Sequence, residues 1–156
     1  MVLLERDQLT SGTTWHAAGL LTTFGSGSET LLDIRKHAKS LYARLEEETG
    51  LQTGFVQCGF VELAADEEYR RISAFNRYHG IDIHELSPSE IKNLFPFAET
   101  DDLIAGFYAE DDGRINPVDV TMAMARGARL KGAKLFEKTP VESILTAKGA
   151  VAGVRT

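Results

Sequence analysis

The sequence has few of the features that several protein classes require. Its 156 residues include one cysteine, Cys58, which excludes an internal disulfide and a zinc site built on cysteines. No apolar run approaches the ~20 residues of a transmembrane helix, so we expect no membrane association. The start of the chain also lacks the basic-then-apolar layout of a secretory signal peptide.

Positive charge is scarce as well. The chain has 17 Lys and Arg against 23 Asp and Glu, a formal net charge of −6, and the basic residues form no cluster. Nucleic-acid binding depends on clustered Lys and Arg that neutralise phosphates, so we expect no nucleic-acid partner. The histidines show neither H-x-x-H nor H-E-x-x-H spacing, so we expect no metal site.

The most informative feature that the sequence lacks is a glycine-rich phosphate-binding turn. Residues 1–6 are typical of a short buried parallel strand. The apolar part of this segment is followed by an acid, Glu5. In a dinucleotide-binding unit such an acid binds a ribose hydroxyl and follows a G-x-G-x-x-G turn by ~20 residues. Only the first few residues of the chain precede Glu5, so we expect the chain to begin inside a fold unit. Taken alone, Glu5 is better explained as a solvated strand end. Gly25-Ser26-Gly27 has no third glycine and no strand before it, and is predicted to be a flexible loop.

Local patterns predict alternating helices and strands in the rest of the chain. The predicted helices are 29–49, 66–79, one that starts at the capping box Ser87-Pro88-Ser89-Glu90, and one from Asn116-Pro117 to Gly132. The predicted strands are 55–64, 81–86, 103–109, 133–136, 141–145 and 151–154. Residues 7–28 are predicted as loop, 111–114 as a turn, and Cys58 as a small buried side chain. This order predicts an α/β nucleotide-binding layer interrupted by an inserted α+β segment.

One motif, Thr13-Thr14-Trp15-His16-Ala17-Ala18-Gly19, carries a family resemblance. With Leu3-Leu4-Glu5-Arg6 before it and Leu20 after it, the segment resembles the FAD-contacting start of the sarcosine and dimethylglycine dehydrogenases, within the glycine/D-amino-acid oxidase superfamily. Residues 45–50 with 53–55, residues 112–117, and Pro140-Val141 fit the same family in the same order, so the resemblance covers essentially the whole chain.

The resemblance implies a partial FAD-binding domain of the D-amino-acid oxidase type, Rossmann-like but lacking the first strand and the glycine-rich turn. Residues 1–54 and 109–156 would form this domain, and residues 55–108 would be an inserted α+β part of the substrate domain.

The resemblance also implies a FAD site, position by position. Glu5 would bind the ribose, with Arg6 beside it on the adenosine side, and Val141 would contact the adenine through its backbone. The loop along the pyrophosphate and the ring would consist of Gly12, Thr13, Thr14, Trp15, His16, Ala17, Ala18, Gly19 and Leu20. His16 would be the covalent attachment point of the flavin. Outside this context it would be read as an ordinary loop histidine or a cap contact.

A bond at His16 is chemically reasonable. The 8-methyl group of oxidised flavin is weakly acidic and its tautomer is electrophilic at that carbon, while a neutral imidazole is a competent nucleophile near neutral pH. Trp15 could form a wall of the flavin pocket or fill the core, and we favour the core. Tyr108, Asp111 and Arg114 could face substrate or belong to a solvated turn, and we favour the turn.

The function implied is oxidative demethylation of sarcosine or dimethylglycine, a small N-methylated amino acid, by hydride transfer to covalently bound FAD. Electrons would pass to an electron-transfer flavoprotein or to oxygen, and a further C-terminal domain could bind tetrahydrofolate. The alternative is a non-catalytic relative, such as the regulatory subunit of pyruvate dehydrogenase phosphatase. The compartment would be the cytoplasm in a bacterium or the mitochondrial matrix in a eukaryote.

No catalytic residue is assigned, because the family's substrate-handling groups fall largely beyond position 156. These 156 residues alone are expected to be inactive and to bind FAD weakly or not at all, since a glycine-rich turn and its helix N-terminus supply much of a pyrophosphate site.

Overall fold

A computed structural model describes all 156 residues and shows helices alternating with short strands. The α-helices are α1 Glu29–Thr49, α2 Glu68–Tyr78, α3 Pro88–Leu94 and α4 Pro117–Leu130, and a 3₁₀ turn covers Thr13–His16. The strands are β1 Val2–Leu4, β2 Leu20–Leu21, β3 Phe60–Ala64, β4 His84–Leu86, β5 Ala105–Ala109, β6 Gly113–Arg114, β7 Lys134–Phe136, β8 Ser143–Ala147 and β9 Ala150–Arg155. None of the helices combines the length and apolarity needed to cross a membrane.

The chain divides into two compact units. The first unit contains residues 1–18, 44–53 and 116–156. In it β1 and β7 pair in parallel, with Leu3 opposite Leu135, and β8 and β9 form an antiparallel hairpin. Helix α4 packs against β7 and against the 3₁₀ turn. The parallel pair with a helix leading into its second strand is the arrangement expected of a nucleotide-binding layer.

The second unit contains residues 19–43 and 54–115. Its antiparallel sheet has the order β3-β5-β4, and β2 pairs separately with β6. The core of this unit is the apolar cluster Phe24, Leu32, Ala64, Ile81, Ile83, Ala105 and Phe107. Within it the rings of Phe24 and Phe107 stack with their centroids 5.7 Å apart, so the segment after β2 is held against the central strand β5. The predicted division into residues 1–54 and 109–156 against 55–108 stays a prediction.

The helix predictions are largely confirmed, because their ends are coded by local residues. Helix α1 has the predicted bounds, and Gly50 follows it with φ +69° while donating its N–H to Glu46 O at 2.7 Å. The Ser87/Glu90 capping box is present at α3 with Pro88 in the first turn. At α4 the Asn116 side chain accepts the N–H of Val118. The exception is α2, which is predicted over residues 66–79 and is observed over Glu68–Tyr78. The Asp66 carboxylate accepts the N–H of Glu68.

Three predicted strands are longer than the observed ones. Strands β3, β4 and β5 begin at Phe60, His84 and Ala105, not at 55, 81 and 103. For β3 the reason is register: Phe60 pairs with Ala109, the last residue of β5, so residues before Phe60 have no partner on that strand. Cys58 therefore lies outside the strand and is exposed, which corrects its predicted burial. The closing strands are also displaced, to 143–147 and 150–155.

The segments predicted as loop and turn contain pairing that the sequence did not indicate. Residues 7–28 include the 3₁₀ turn and β2, and residues 111–114 include β6. Gly25-Ser26-Gly27 is a loop, as predicted, and its central residue Ser26 is fully buried. Its hydroxyl donates to Ser28 O at 2.9 Å, and its carbonyl accepts the side-chain amide of Asn76 at 3.1 Å.

Strand β3 of the antiparallel sheet carries a titratable side chain, Glu62, opposite Phe107. Burial raises the pKa of Glu62 above its ordinary value, and a hydrogen bond from Tyr69 partly offsets this. Because the raised pKa belongs to the folded state, the stability linked to this group is fully present below the unfolded pKa, near 4.5, and is lost as pH rises through the folded pKa.

We therefore expect Glu62→Gln to flatten the pH dependence of stability. Thermal unfolding from about pH 4 to pH 8 should show a smaller decline in Tm for the variant than for the parent. Glu110→Gln, at an exposed position, is the matched control and should follow the parent curve. Parallel curves for the parent and Glu62→Gln would contradict the prediction.

Candidate functional site

The carboxyl end of the parallel pair holds Glu5. Its backbone N–H donates to Phe136 O at 2.8 Å, which extends the β1–β7 pairing by one residue. Its half-buried side chain accepts the N–H of Asp7 through Oε1 at 2.7 Å, while Oε2 has no protein partner. Ligands of parallel sheets bind at the carboxyl ends of the strands. Glu5 therefore presents a free acceptor at the edge where a nucleotide would bind.

A second segment, residues 137–141, is tied to the same edge. Thr139 donates its N–H to Glu5 O at 2.8 Å, and Lys138 donates to Asp7 O at 2.7 Å. The Glu137 carboxylate accepts the N–H of Leu9 at 2.7 Å. Val141, two residues after Thr139, is 47% exposed. The structure thus brings the chain around Val141 to the strand end that carries Glu5.

The Trp-His motif lies in the 3₁₀ turn of the first unit. Trp15 donates its N–H to Gly12 O and Ala17 to Thr14 O, each at 3.2 Å, which closes the turn. The turn packs against α4. Neither turn residue is buried: Trp15 is 71% exposed, and His16 is exposed with no hydrogen bond or ion pair. The favoured prediction that Trp15 fills the core is therefore wrong within this chain, and the wall of a pocket is its remaining predicted role.

The end of the predicted flavin segment is fixed within the second unit. Gly19, with φ +78°, accepts the N–H of Ile115 through its carbonyl at 2.8 Å. Leu20 lies opposite Arg114 in the β2–β6 pair, and both side chains are exposed. A positive φ is readily adopted by glycine, so Gly19 allows the change of direction that leads into β2.

Sequence reasoning missed Asp112, a fully buried carboxylate. It accepts the N–H and the hydroxyl of Thr23 at 2.8 and 2.7 Å, and the N–H of Phe24 at 3.4 Å. Lys39 Nζ lies 3.5 Å from its Oδ1. An Asp-Asp-Gly sequence ordinarily marks a solvated turn, and the partner Thr23 is 89 residues distant, so the local sequence does not show that this carboxylate is buried and hydrogen-bonded.

These residues fit a flavin dinucleotide by the chemistry of their groups. Glu5 Oε2 is an unpaired acceptor suited to a ribose hydroxyl, and His16 is an unpaired nucleophilic imidazole. At Gly12 nothing lies within 4 Å of where a Cβ would stand, so a bulky ligand can approach the backbone there. No group of three or more His, Cys, Asp or Glu side chains is placed to hold a metal ion.

Comparison with known proteins provides evidence that is independent of the site geometry. Residues 1–156 match the family described as FAD dependent oxidoreductase. The chain is 40% identical over 148 residues to mitochondrial sarcosine dehydrogenase of Homo sapiens and 41% identical over 148 residues to mitochondrial dimethylglycine dehydrogenase of Rattus norvegicus. Each match covers 92% of this chain but only 16% and 17% of those proteins.

Two further similarities bear on fold and function. The mitochondrial pyruvate dehydrogenase phosphatase regulatory subunit of Mus musculus is 32% identical over 160 residues, covering 100% of this chain and 18% of that protein. Among solved structures, L-proline dehydrogenase from P. horikoshii superposes with a TM-score of 0.87 at 25% identity, covering 98% of this chain and 41% of that chain.

Proposed function

The chain belongs to the FAD dependent oxidoreductase family, and on that premise we propose that it forms part of the FAD site of an enzyme that demethylates sarcosine or dimethylglycine. The predicted resemblance to the sarcosine and dimethylglycine dehydrogenases is confirmed, as is the mixed α/β fold type. One observation carries the finer proposal: the imidazole of His16 is exposed and unpartnered at the end of a defined turn, within the Thr-Thr-Trp-His-Ala-Ala-Gly motif.

In this proposal each group has a separate task. Glu5 accepts a ribose hydroxyl through Oε2, Arg6 lies on the adenosine side, and the backbone of Val141 contacts the adenine. The loop of residues 12–20 follows the pyrophosphate and the ring. A nitrogen of His16 would hold the ring through a bond to its 8-methyl carbon, so the cofactor could not dissociate. The methyl group and the imidazole each give up one hydrogen, the ring is left reduced by two electrons, and molecular oxygen would take these electrons up.

FAD, when bound, supplies the acceptor for a hydride from the N-methyl carbon of the substrate. The chain's own contribution is to bind and orient. A covalent link at His16 is also expected to raise the reduction potential, which favours hydride removal from an amine. The substrate is a small N-methylated amino acid. Water would hydrolyse the iminium product to formaldehyde and the demethylated amine, or its one-carbon unit would pass to tetrahydrofolate. Electrons leave to an electron-transfer flavoprotein or to oxygen.

The same comparison supports a proposal about the compartment. Several of the relatives are named as mitochondrial, so we propose the mitochondrial matrix if the source is a eukaryote and the cytoplasm if it is a bacterium.

A second candidate is a non-catalytic regulatory role, favoured by the similarity to the phosphatase regulatory subunit over the whole chain. A scaffold of that kind has no need of a free imidazole in the flavin motif. Presence of flavin and its reduction by substrate therefore separate the two candidates.

The deciding experiment uses the protein as its own gene encodes it, purified from a host that supplies FAD. Under anaerobic conditions, sarcosine or dimethylglycine should bleach the visible flavin absorbance and yield formaldehyde when an acceptor is added, whereas glycine should do neither. A purified protein that carries flavin unaffected by any N-methylated amino acid would refute the proposed substrates. A protein without flavin would favour the regulatory role.

A further inference from the structure

The most strongly held side chain near the end of the predicted flavin segment is Asp112. Its carboxylate, fully buried just before β6, accepts two backbone N–H groups and one hydroxyl, and an ammonium lies 3.5 Å away. Oδ2 receives the N–H groups of Thr23 and Phe24, while Oδ1 receives the Thr23 hydroxyl and faces Lys39 Nζ. Both carboxylate oxygens are therefore used.

Such an arrangement is specific to a carboxylate. Burying an ionised group is unfavourable unless hydrogen bonds and an opposite charge compensate for lost hydration. Charge-assisted bonds to backbone N–H groups are stronger than neutral ones. An amide in the same position would present a donor to Lys39 or to the backbone N–H groups. The surrounding groups therefore favour an aspartate at position 112, and its carboxylate holds the backbone of Thr23 and Phe24 in place.

That stretch directly follows the predicted flavin segment. Leu20 and Leu21 form β2 and pair with β6, which begins one residue after Asp112. Two devices therefore fix the same part of the chain: the β2–β6 pairing holds residues 20–21, and the Asp112 carboxylate holds Thr23 and Phe24. Together the pairing and the carboxylate fix the position of the backbone at the C-terminal end of residues 12–20.

We propose that Asp112 is a positioning residue for the flavin, acting through the backbone of residues 19–24 and not by contact with the cofactor. The proposal rests on the proposed function, since it needs residues 12–20 to follow the flavin. Loss of the carboxylate leaves the end of that segment held only by the β2–β6 pairing and the Gly19–Ile115 hydrogen bond, so the motif that carries His16 is anchored less firmly at that end. Attachment of the flavin then slows, even in a folded protein.

The test compares Asp112→Asn and Thr23→Val with the matched control Asp111→Asn. Asp111 is the exposed neighbour and accepts only the side-chain amide of Gln57, at 2.8 Å. All variants are made in the protein as its own gene encodes it, prepared free of flavin and then mixed with FAD in air, so that oxygen can reoxidise the ring after the bond forms. The measurements are hydrogen exchange of a peptide covering residues 19–25 and the rate at which acid-stable flavin appears, at a temperature where circular dichroism shows each variant folded.

We expect Asp112→Asn to speed exchange of the Thr23 and Phe24 amides by roughly 10- to 100-fold and to slow the appearance of acid-stable flavin by up to about 100-fold. Thr23→Val, which removes only the hydroxyl bond, should give the same two effects in smaller degree. Asp111→Asn should match the parent in both. If Asp112→Asn does not fold, the milder Thr23→Val decides the matter by the same measurements.

Different results would overturn the positioning role of Asp112 and the covalent attachment of the flavin. If the parent and the folded variants form acid-stable flavin at equal rates, Asp112 has a structural role only and the positioning proposal is overturned, while the proposed function stands. If the parent itself never forms acid-stable flavin, the covalent link fails and the positioning proposal falls with it.

Discussion

Replacing His16 by alanine is expected to abolish acid-stable flavin while leaving the fold unchanged. The side chain is exposed and makes no hydrogen bond or ion pair, and the 3₁₀ turn is closed by backbone bonds of Trp15 and Ala17. Truncation at such a position changes stability by no more than about 0.5 kcal/mol. The bond to the ring, by contrast, requires the imidazole nitrogen, because no neighbouring residue of the turn has a comparable nucleophile.

The measurement is flavin absorbance and fluorescence in the acid-precipitated protein and on a denaturing gel. The parent should retain its flavin through precipitation, and His16→Ala should release all of it into the supernatant. His37→Ala is the matched control, because His37 is an exposed histidine on α1 with no hydrogen bond or ion pair, and it should behave as the parent. Retention of acid-stable flavin in His16→Ala would show that the flavin is attached at a residue other than His16.

The helices could be predicted from sequence because their ends are determined by neighbours in the chain. The capping box at Ser87 and Glu90, the proline after Asn116 and the glycine after α1 each act within a few residues. Strand ends depend instead on a distant partner. Nothing around residue 55 indicates that β5 ends at Ala109, yet that end sets the start of β3 at Phe60.

The same distinction applies to the candidate site. The Trp-His motif and Glu5 are contiguous signatures, so sequence alone could single them out. Asp112 could not be found in this way, because its importance comes from a partner 89 residues away and from burial. The short pair β2–β6 was missed for a related reason: two residues per strand produce no periodic pattern.

Gly113→Ala is expected to destabilise the second unit strongly, through a backbone collision. A Cβ at Gly113 would lie 2.1 Å from Val56 O and 3.0 Å from the Cα of Gln57. The colliding atoms belong to the main chain and cannot rotate away. Arg114, the next residue, exchanges two backbone hydrogen bonds with Val56, at 2.9 and 3.0 Å. Relief of the collision therefore requires this bridge to open.

The expected loss is at or above the upper end of the ~1–3 kcal/mol typical of overpacking, because the β2–β6 pair and the Asp112 anchor adjoin the displaced backbone. Denaturant unfolding of the variant should show a lower midpoint with an unchanged slope. Gly27→Ala is the matched control: it lies in the same unit with open space at the Cβ position and no positive φ, so its midpoint should stay near that of the parent. Equal midpoints for Gly113→Ala and the parent would mean that the close approach of Val56 to Gly113 is absent in solution, and the Val56–Arg114 bridge with it.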